Sequence, residues 1–265
     1  MRKIQFRYVP ITFVILFIAL TISWFFSSEL FGILTMDYNA SDLIGEKNEI
    51  QSAYIYQILT WESLVDSSMF YIINFLPLLV VLPTLSLFDE KKLFFKMAKH
   101  KLSNLDKKIT ITVLKYSLIS AVTVSSVFTL FYSIGGLFVH RSIEDIGGFA
   151  SLFPTDFYPN HPYLFFIIMV WTIYFASSFV LSFISSSIIL IVENEYTVLA
   201  SILFLCMGLS LLSNVVNIPY LNIYDAYVAF NTTNQTHETF YPVIAFFMIG
   251  VGIFIYGKNK LKKYY

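Results

Sequence analysis

The sequence predicts an all-α, polytopic membrane protein with six transmembrane helices and both termini on the cytoplasmic side. Three observations predict it. Of the 265 residues, 57% are hydrophobic and only 13% are charged, about half the charged fraction of an ordinary soluble domain. Six long apolar runs alternate with polar segments. Fifteen of the 17 Lys and Arg residues fall into three clusters: three in residues 2–7, eight in 91–115 and four in 258–263. Lys and Arg are held on the cytoplasmic side during insertion, whereas acidic residues contribute little to orientation. The three basic clusters are therefore expected inside, and 12 of the 17 acidic residues outside, where only Lys47 and Arg141 oppose them. Nucleic acid is not an expected partner; the lipid bilayer is.

The first span is residues 8–31, behind Arg2, Lys3 and Arg7. A cleaved signal peptide has an apolar region of only about 7–15 residues and a small-residue cleavage site. This run is longer and ends in Trp24, Phe25 and Phe26, which suit the headgroup belt, so it is expected to stay as an anchor. Residues 32–66 form a polar, acidic outer loop. Within it, Ile50 to Leu64 alternates at roughly helical spacing, as expected of a helix on the membrane surface. The second span, 67–88, contains Asn74, Pro77 and Pro83. Each proline removes a backbone donor and kinks or loosens a helix; a flexible hinge and a permanently packed kink both fit.

Residues 89–108 are the longest inner loop. The third span, 109–139, carries Lys115 where its stem can snorkel to the inner face. Phe153, Pro154, Tyr158, Pro159, His161 and Pro162 predict a structured, aromatic-lined cap over 140–162. The fourth span, 163–192, and the fifth, 197–216, are separated only by Glu193, Asn194, Glu195 and Tyr196, which makes them antiparallel neighbours. In the outer segment 217–240, Ile218, Tyr220, Leu221, Ile223, Tyr224 and Tyr227 follow no regular period, and re-entry into the membrane is open. The sixth span, 241–256, has a reach of about 24 Å against a core of about 30 Å, so flanking residues must extend it. Roughly 120 residues lie outside the spans, scattered over loops and tails, so 1–265 is read as one membrane domain with no separate soluble domain.

Enzyme templates are missing. The sequence has no Walker motif, HExxH or paired acidic motif, and His100, His140, His161 and His237 are isolated. His161 near Asp156 suits an ordinary loop histidine better than a catalytic or metal-binding one. Cys206, the single cysteine, lies mid-span and forms no internal disulfide or metal site. No catalytic residue, metal or cofactor is expected on this chain. Glu29, Lys115, Glu193 and Glu195 all sit near span ends, and a central charge would be the mark of a proton or ion pathway.

Two constellations remain. Ser117, Ala121 and Ser125 in the third span, and Ser178, Ser182 and Ser186 in the fourth, repeat every four residues. Such small-residue stripes mark tight helix packing; a polar translocation path is the sharper alternative. The other is the inner loop, where Leu93, Phe94, Met97, Ala98, Leu102 and Leu105 fall at three- and four-residue spacings opposite Lys92, Lys96, Lys99 and Ser103. This is a short amphipathic helix. Its lysines suit anionic headgroups, and its exposed face suits a cytoplasmic protein.

The order of these elements, with Asp89 and Glu90 preceding the lysines and Lys115 heading the third span, resembles the permease subunits of type-2 ATP-binding-cassette (ABC) exporters of Gram-positive bacteria. The likeness of topology covers nearly the whole chain, and that of sequence residues 88–115. The resemblance implies that Asp89, Glu90, Lys92, Leu93, Phe94, Phe95, Lys96, Met97 and Lys99 form the coupling helix received by a separate ABC ATPase that holds ATP and Mg. It also implies a homodimer or a heterodimer with a related permease in the bacterial cell membrane. The expected function is export of a hydrophobic or amphipathic cargo, such as an antimicrobial peptide, toxin or lipid. The rival expectation is a non-transporting immunity or sensor protein that binds a peptide or signalling partner.

Overall fold

A computed structural model describes residues 7–38, 46–92, 105–141, 148–229 and 238–263. These residues are helical, and the only extended pairing among them is an isolated bridge between Thr60 and His140. The helices are α1 (Tyr8–Ser27), α2 (Leu30–Thr35), α3 (Lys47–Ile58), α4 (Trp61–Phe70), α5 (Leu76–Val81), α6 (Leu105–Gly135), α7 (Phe157–Asn160), α8 (Pro162–Met169), α9 (Phe175–Ile189), α10 (Glu195–Val216), α11 (Tyr224–Tyr227) and α12 (Tyr241–Lys263). A π-helical turn, Val170–Tyr174, joins α8 to α9 without a break.

Five helical segments are long and apolar enough to cross a membrane: Tyr8–Ser27, Leu105–Gly135, Pro162–Ile189, Glu195–Val216 and Glu238–Leu261. Their outward faces are apolar too. On α1 only Thr12, Leu16, Leu20 and Ser23 are buried, a single stripe at helical spacing, and on α10 only Val198, Ile202, Cys206 and Ser213. Helices that stay hydrophobic on the side turned away from their neighbours belong in lipid, and this is a multi-pass membrane architecture.

The predicted second span differs from the rest. Residues 67–88 are not one helix. α4 ends at Phe70, a turn follows, α5 begins at Leu76, and the chain tightens into a 3-10 helix over Leu82–Ser86 before residues 87–92 become α-helical again. Pro77 lies in the first turn of α5 and Pro83 in the first turn of the 3-10 stretch, positions where a missing N–H is least costly. The prolines thus start new short helices instead of kinking one long helix.

Other boundaries shift for local reasons. The first span stops at Ser27 because Glu29 adopts the left-handed conformation (φ 63°) and separates α1 from α2. The surface helix predicted over 50–64 is split at Thr60, whose hydroxyl accepts from the Ser63 N–H as the N-cap of α4. α6 begins and ends four residues before the predicted third span. α10 is bounded by two asparagines: Asn194 accepts from the Tyr196 N–H, and Asn217 closes the other end at φ 56°. The sixth helix is not short. It runs on through Lys258 and Lys260 to Lys263, since nothing there breaks a helix.

α9 is the centre of the bundle and packs most extensively on α6 and α12. Its serines at 177, 178, 182, 185, 186 and 187 are all fully buried. Between α6 and α8 the aromatic cap forms as expected: Phe149, Phe153, Phe157, Tyr158 and Phe165 interleave at centroid distances of 4.8–5.6 Å. Between α10 and α12 the chain turns inward. Ile223, Ala226, Tyr227 and Ala229 are completely buried, and the Tyr174 hydroxyl donates to the Tyr227 carbonyl at 2.9 Å.

Candidate functional site

The first candidate region is the polar seam around the broken segment. In a 3-10 helix each carbonyl accepts from the N–H three residues on; for Val80 that residue is Pro83, which has no N–H. The Val80 carbonyl instead accepts from two side chains, the Ser120 hydroxyl of α6 and the Ser182 hydroxyl of α9, the latter at 3.2 Å. One turn on, the Thr84 and Ser185 hydroxyls are 2.8 Å apart, and Thr84 also donates to the Val81 carbonyl. In lipid, non-helical backbone persists only where protein groups satisfy it; here the Ser120 and Ser182 hydroxyls supply that satisfaction at Val80 and Thr84 supplies it at Val81. Higher in the bundle, Ser178 faces the Tyr227 hydroxyl at 3.4 Å.

The second region is the end of the bundle where residues 87–92 meet α1, α6 and the α9–α10 turn. Asp89 and Lys92 are exposed, Glu90 is half-buried and Lys91 is buried. Lys91 donates to the carbonyl of Val192, just past the C-terminus of α9, and Lys260 of α12 approaches the Ile191 carbonyl at 3.5 Å. Cations are favourable where a helix leaves carbonyls unpaired. Burial pushes the Lys91 ammonium below the ordinary lysine range, partly offset by nearby Glu193. Tyr116 of α6 donates to Glu90 at 3.2 Å, and Tyr8 of α1 to Glu195 at 3.1 Å. The chain leaving the broken segment is thereby fastened to the α9–α10 turn and to α6.

The chain matches no family model, no curated protein and no solved structure.

Of the predicted stripe residues, Ser117, Ala121, Ser125, Ser178, Ser182 and Ser186 are all fully buried. Ser117 returns its proton to the Val113 carbonyl of its own helix, so it packs without bridging. Only Ser178 and Ser182 make the side-chain contacts between elements described above. Of the coupling residues, Asp89, Glu90 and Lys92 are placed at the bundle end, whereas Leu93, Phe94, Phe95, Lys96, Met97 and Lys99 lie outside the described residues. His161 and Asp156 share the aromatic cap, where the Phe157 ring is 5.8 Å from the imidazole; among the described residues no group of His, Cys, Asp and Glu could hold a metal ion.

Sequence reasoning missed Ser120, Ser185, Lys91 and Tyr227. Ser120 and Ser185 lie beside the four-residue stripes, and the only signal for Ser120 was Pro83, which orphans a carbonyl without saying what will satisfy it. Lys91 and Lys92 are indistinguishable by charge pattern, yet one is buried and the other exposed.

Proposed function

We propose that this chain is the permease subunit of an ATP-driven exporter, crossing the bacterial cell membrane six times with both termini cytoplasmic. The broken segment 67–88 is its second crossing, and residues 89–108 are the cytoplasmic loop that receives a separate ABC ATPase carrying ATP and Mg. Two such permeases, identical or related, pair to move a hydrophobic or amphipathic cargo outward.

The observation that carries this reading is the joint at Lys91. A loop able to receive an engine is useful only if its displacement reaches the helices. Residues 87–92 are bonded to the α9–α10 turn through Lys91 and to α6 through Glu90, and α9 is the helix on which the bundle packs. ATP must favour one of two packings of these helices by differential affinity, and the segment joining the loop to α9 is already divided by two prolines into short pieces that can repack.

Copurification tests the reading. A tagged chain from native membranes should bring a stoichiometric ATPase with it, and charge reversal at Lys92, Lys96 and Lys99, or Phe94→Ala, should reduce that recruitment. A chain that purifies alone, or reporters that map 89–108 to the outside, overturn the proposal in favour of the non-transporting immunity or sensor protein.

A further inference from the structure

α4 carries an exposed carboxylate. Asp66 is exposed, and so after it are Phe70, Tyr71, Asn74 and Phe75, the three rings at 62%, 55% and 61% exposure. Asp66 and Phe70 are one helical turn apart and share a face; the Phe70 and Tyr71 rings meet edge-on at 4.9 Å.

The depth of this patch follows from α1. Its 20 residues span about 30 Å, the thickness of the hydrocarbon core. The Ser23 hydroxyl donates to the Ser67 carbonyl at 2.9 Å and accepts from the Tyr71 N–H at 3.2 Å, which sets residues 67–71 level with Ser23, roughly 6 Å inside the end of α1. Asp66 is therefore at the rim of the apolar layer and Phe75 deeper within it. Lipid tails cover exposed rings without cost, and a carboxylate at the rim above them stands where the charged head of an amphiphile lies when its tail enters the apolar layer.

Few cations of the chain itself are available toward this end of the bundle. Between residues 8 and 90 and between 116 and 257 the sequence has only two Lys or Arg residues. Lys47 sits over the Tyr38 ring and Arg141 donates to the Pro159 carbonyl. A second copy in the same orientation would bring its lysine clusters to the opposite end of the bundle, where Lys91 and Lys260 lie. Charge complementarity thus points to an external cation.

We propose that Asp66, Phe70, Tyr71 and Phe75 bind an amphipathic cation, its charge at the Asp66 carboxylate and its apolar tail along the three rings. Tyr71 and Phe70 offer ring faces to a tetraalkylammonium-like head as well. As a cargo site this rests on the export reading and names the class of cargo; as a binding site it stands without an ATPase.

The test uses the full chain in nanodiscs of phosphatidylethanolamine and phosphatidylglycerol, titrated with dodecyltrimethylammonium and, for comparison, with the uncharged dodecyl maltoside. Asp66→Asn should weaken binding of the cation about tenfold, the scale of a partly desolvated charge contact, and leave the neutral amphiphile unchanged; Phe75→Ala should weaken both. Equal binding of the two probes, or a cation affinity indifferent to Asp66→Asn, overturns the proposal. So does efficient crosslinking between copies of a Phe70→Cys variant in native membranes, which would make the patch an interface between chains. Cation binding without a copurifying ATPase sustains the site and removes the exporter; an ATPase without cation binding does the reverse.

Discussion

The Ser182 hydroxyl donates to the backbone carbonyl of Val80 across 102 residues of sequence, at 3.2 Å. Together with Ser120 it satisfies the acceptor that Pro83 leaves without a backbone donor, so a side-chain contact between helices replaces a backbone hydrogen bond inside one.

Removing that replacement should show a threshold. Side-chain hydrogen bonds between membrane helices average about 0.6 kcal/mol, so Ser120→Ala or Ser182→Ala alone should cost about that much. The double variant strands a buried carbonyl and should cost about 1–3 kcal/mol, more than the sum of the singles. Pro83→Ala in the double variant restores a backbone N–H and should recover part of the loss. Denaturation of the purified chain in mixed micelles measures all four; strict additivity would show that the two serines do not share one acceptor.

Under the proposed export function, Lys91→Ala should separate recruitment of the ATPase from coupling. The exposed Lys92 side of the loop is untouched, so the ATPase should still copurify, whereas the loss of a charged hydrogen bond to Val192, worth about 1.5–3 kcal/mol, should abolish stimulation of ATP hydrolysis by cargo. Lys91→Arg keeps a donor and should retain most of that stimulation. Loss of copurification in Lys91→Ala would instead make Lys91 part of the docking surface.

Asp225 gives a pH dependence with a definite sign. Burial pushes its carboxyl up to about 6 from 3.8, while Asn222 donates to it at 2.7 Å. The folded chain holds this proton more tightly than the unfolded chain, so the contribution of Asp225 to stability is greatest below pH 3.8, falls as pH rises through the interval to about 6, and is flat above it. Asp225→Asn removes the charge that is hard to bury. Allowing for partial solvent screening, it should raise stability by about 1 kcal/mol at pH 7 and by little at pH 4, a difference that thermal unfolding in detergent at the two pH values will read.

Gly136 marks a close approach. A Cβ there would stand 2.6 Å from the Trp61 ring and 3.0 Å from the Tyr132 carbonyl, so Gly136→Ala should force α4 away from α6 at a cost of about 1–3 kcal/mol. Gly252, with open space around it, is the control: Gly252→Ala should be neutral or slightly stabilising through helix propensity. Unfolding midpoints of the two variants compare them directly.

Much of this architecture could be read from residues in order. Apolar runs located the five long helices, the four residues 193–196 located the turn that makes α9 and α10 neighbours, and the small-residue spacing marked faces that are buried. What could not be read depends on contacts distant in sequence. Two prolines announced a disturbed helix over 67–88, but α4 stops at Phe70, well before Pro77, where the Tyr71 N–H turns to Ser23 of α1. Tyr227 follows no helical period because it is placed by its bonds to Tyr174 and Ser178 and by burial, not by a regular face. Lys91 is set apart from Lys92 by the Val192 carbonyl, which it meets from a buried position while Lys92 stays exposed.

Cys206 is the sole thiol of the chain and is completely enclosed by its neighbours. Impermeant maleimides will therefore pass over the unmodified protein, and a cysteine engineered at Lys47 or Lys92 can report sidedness from intact cells without first redesigning the background. The geometry of a quiet interior sulfur thus leaves every exposed position open to chemical mapping.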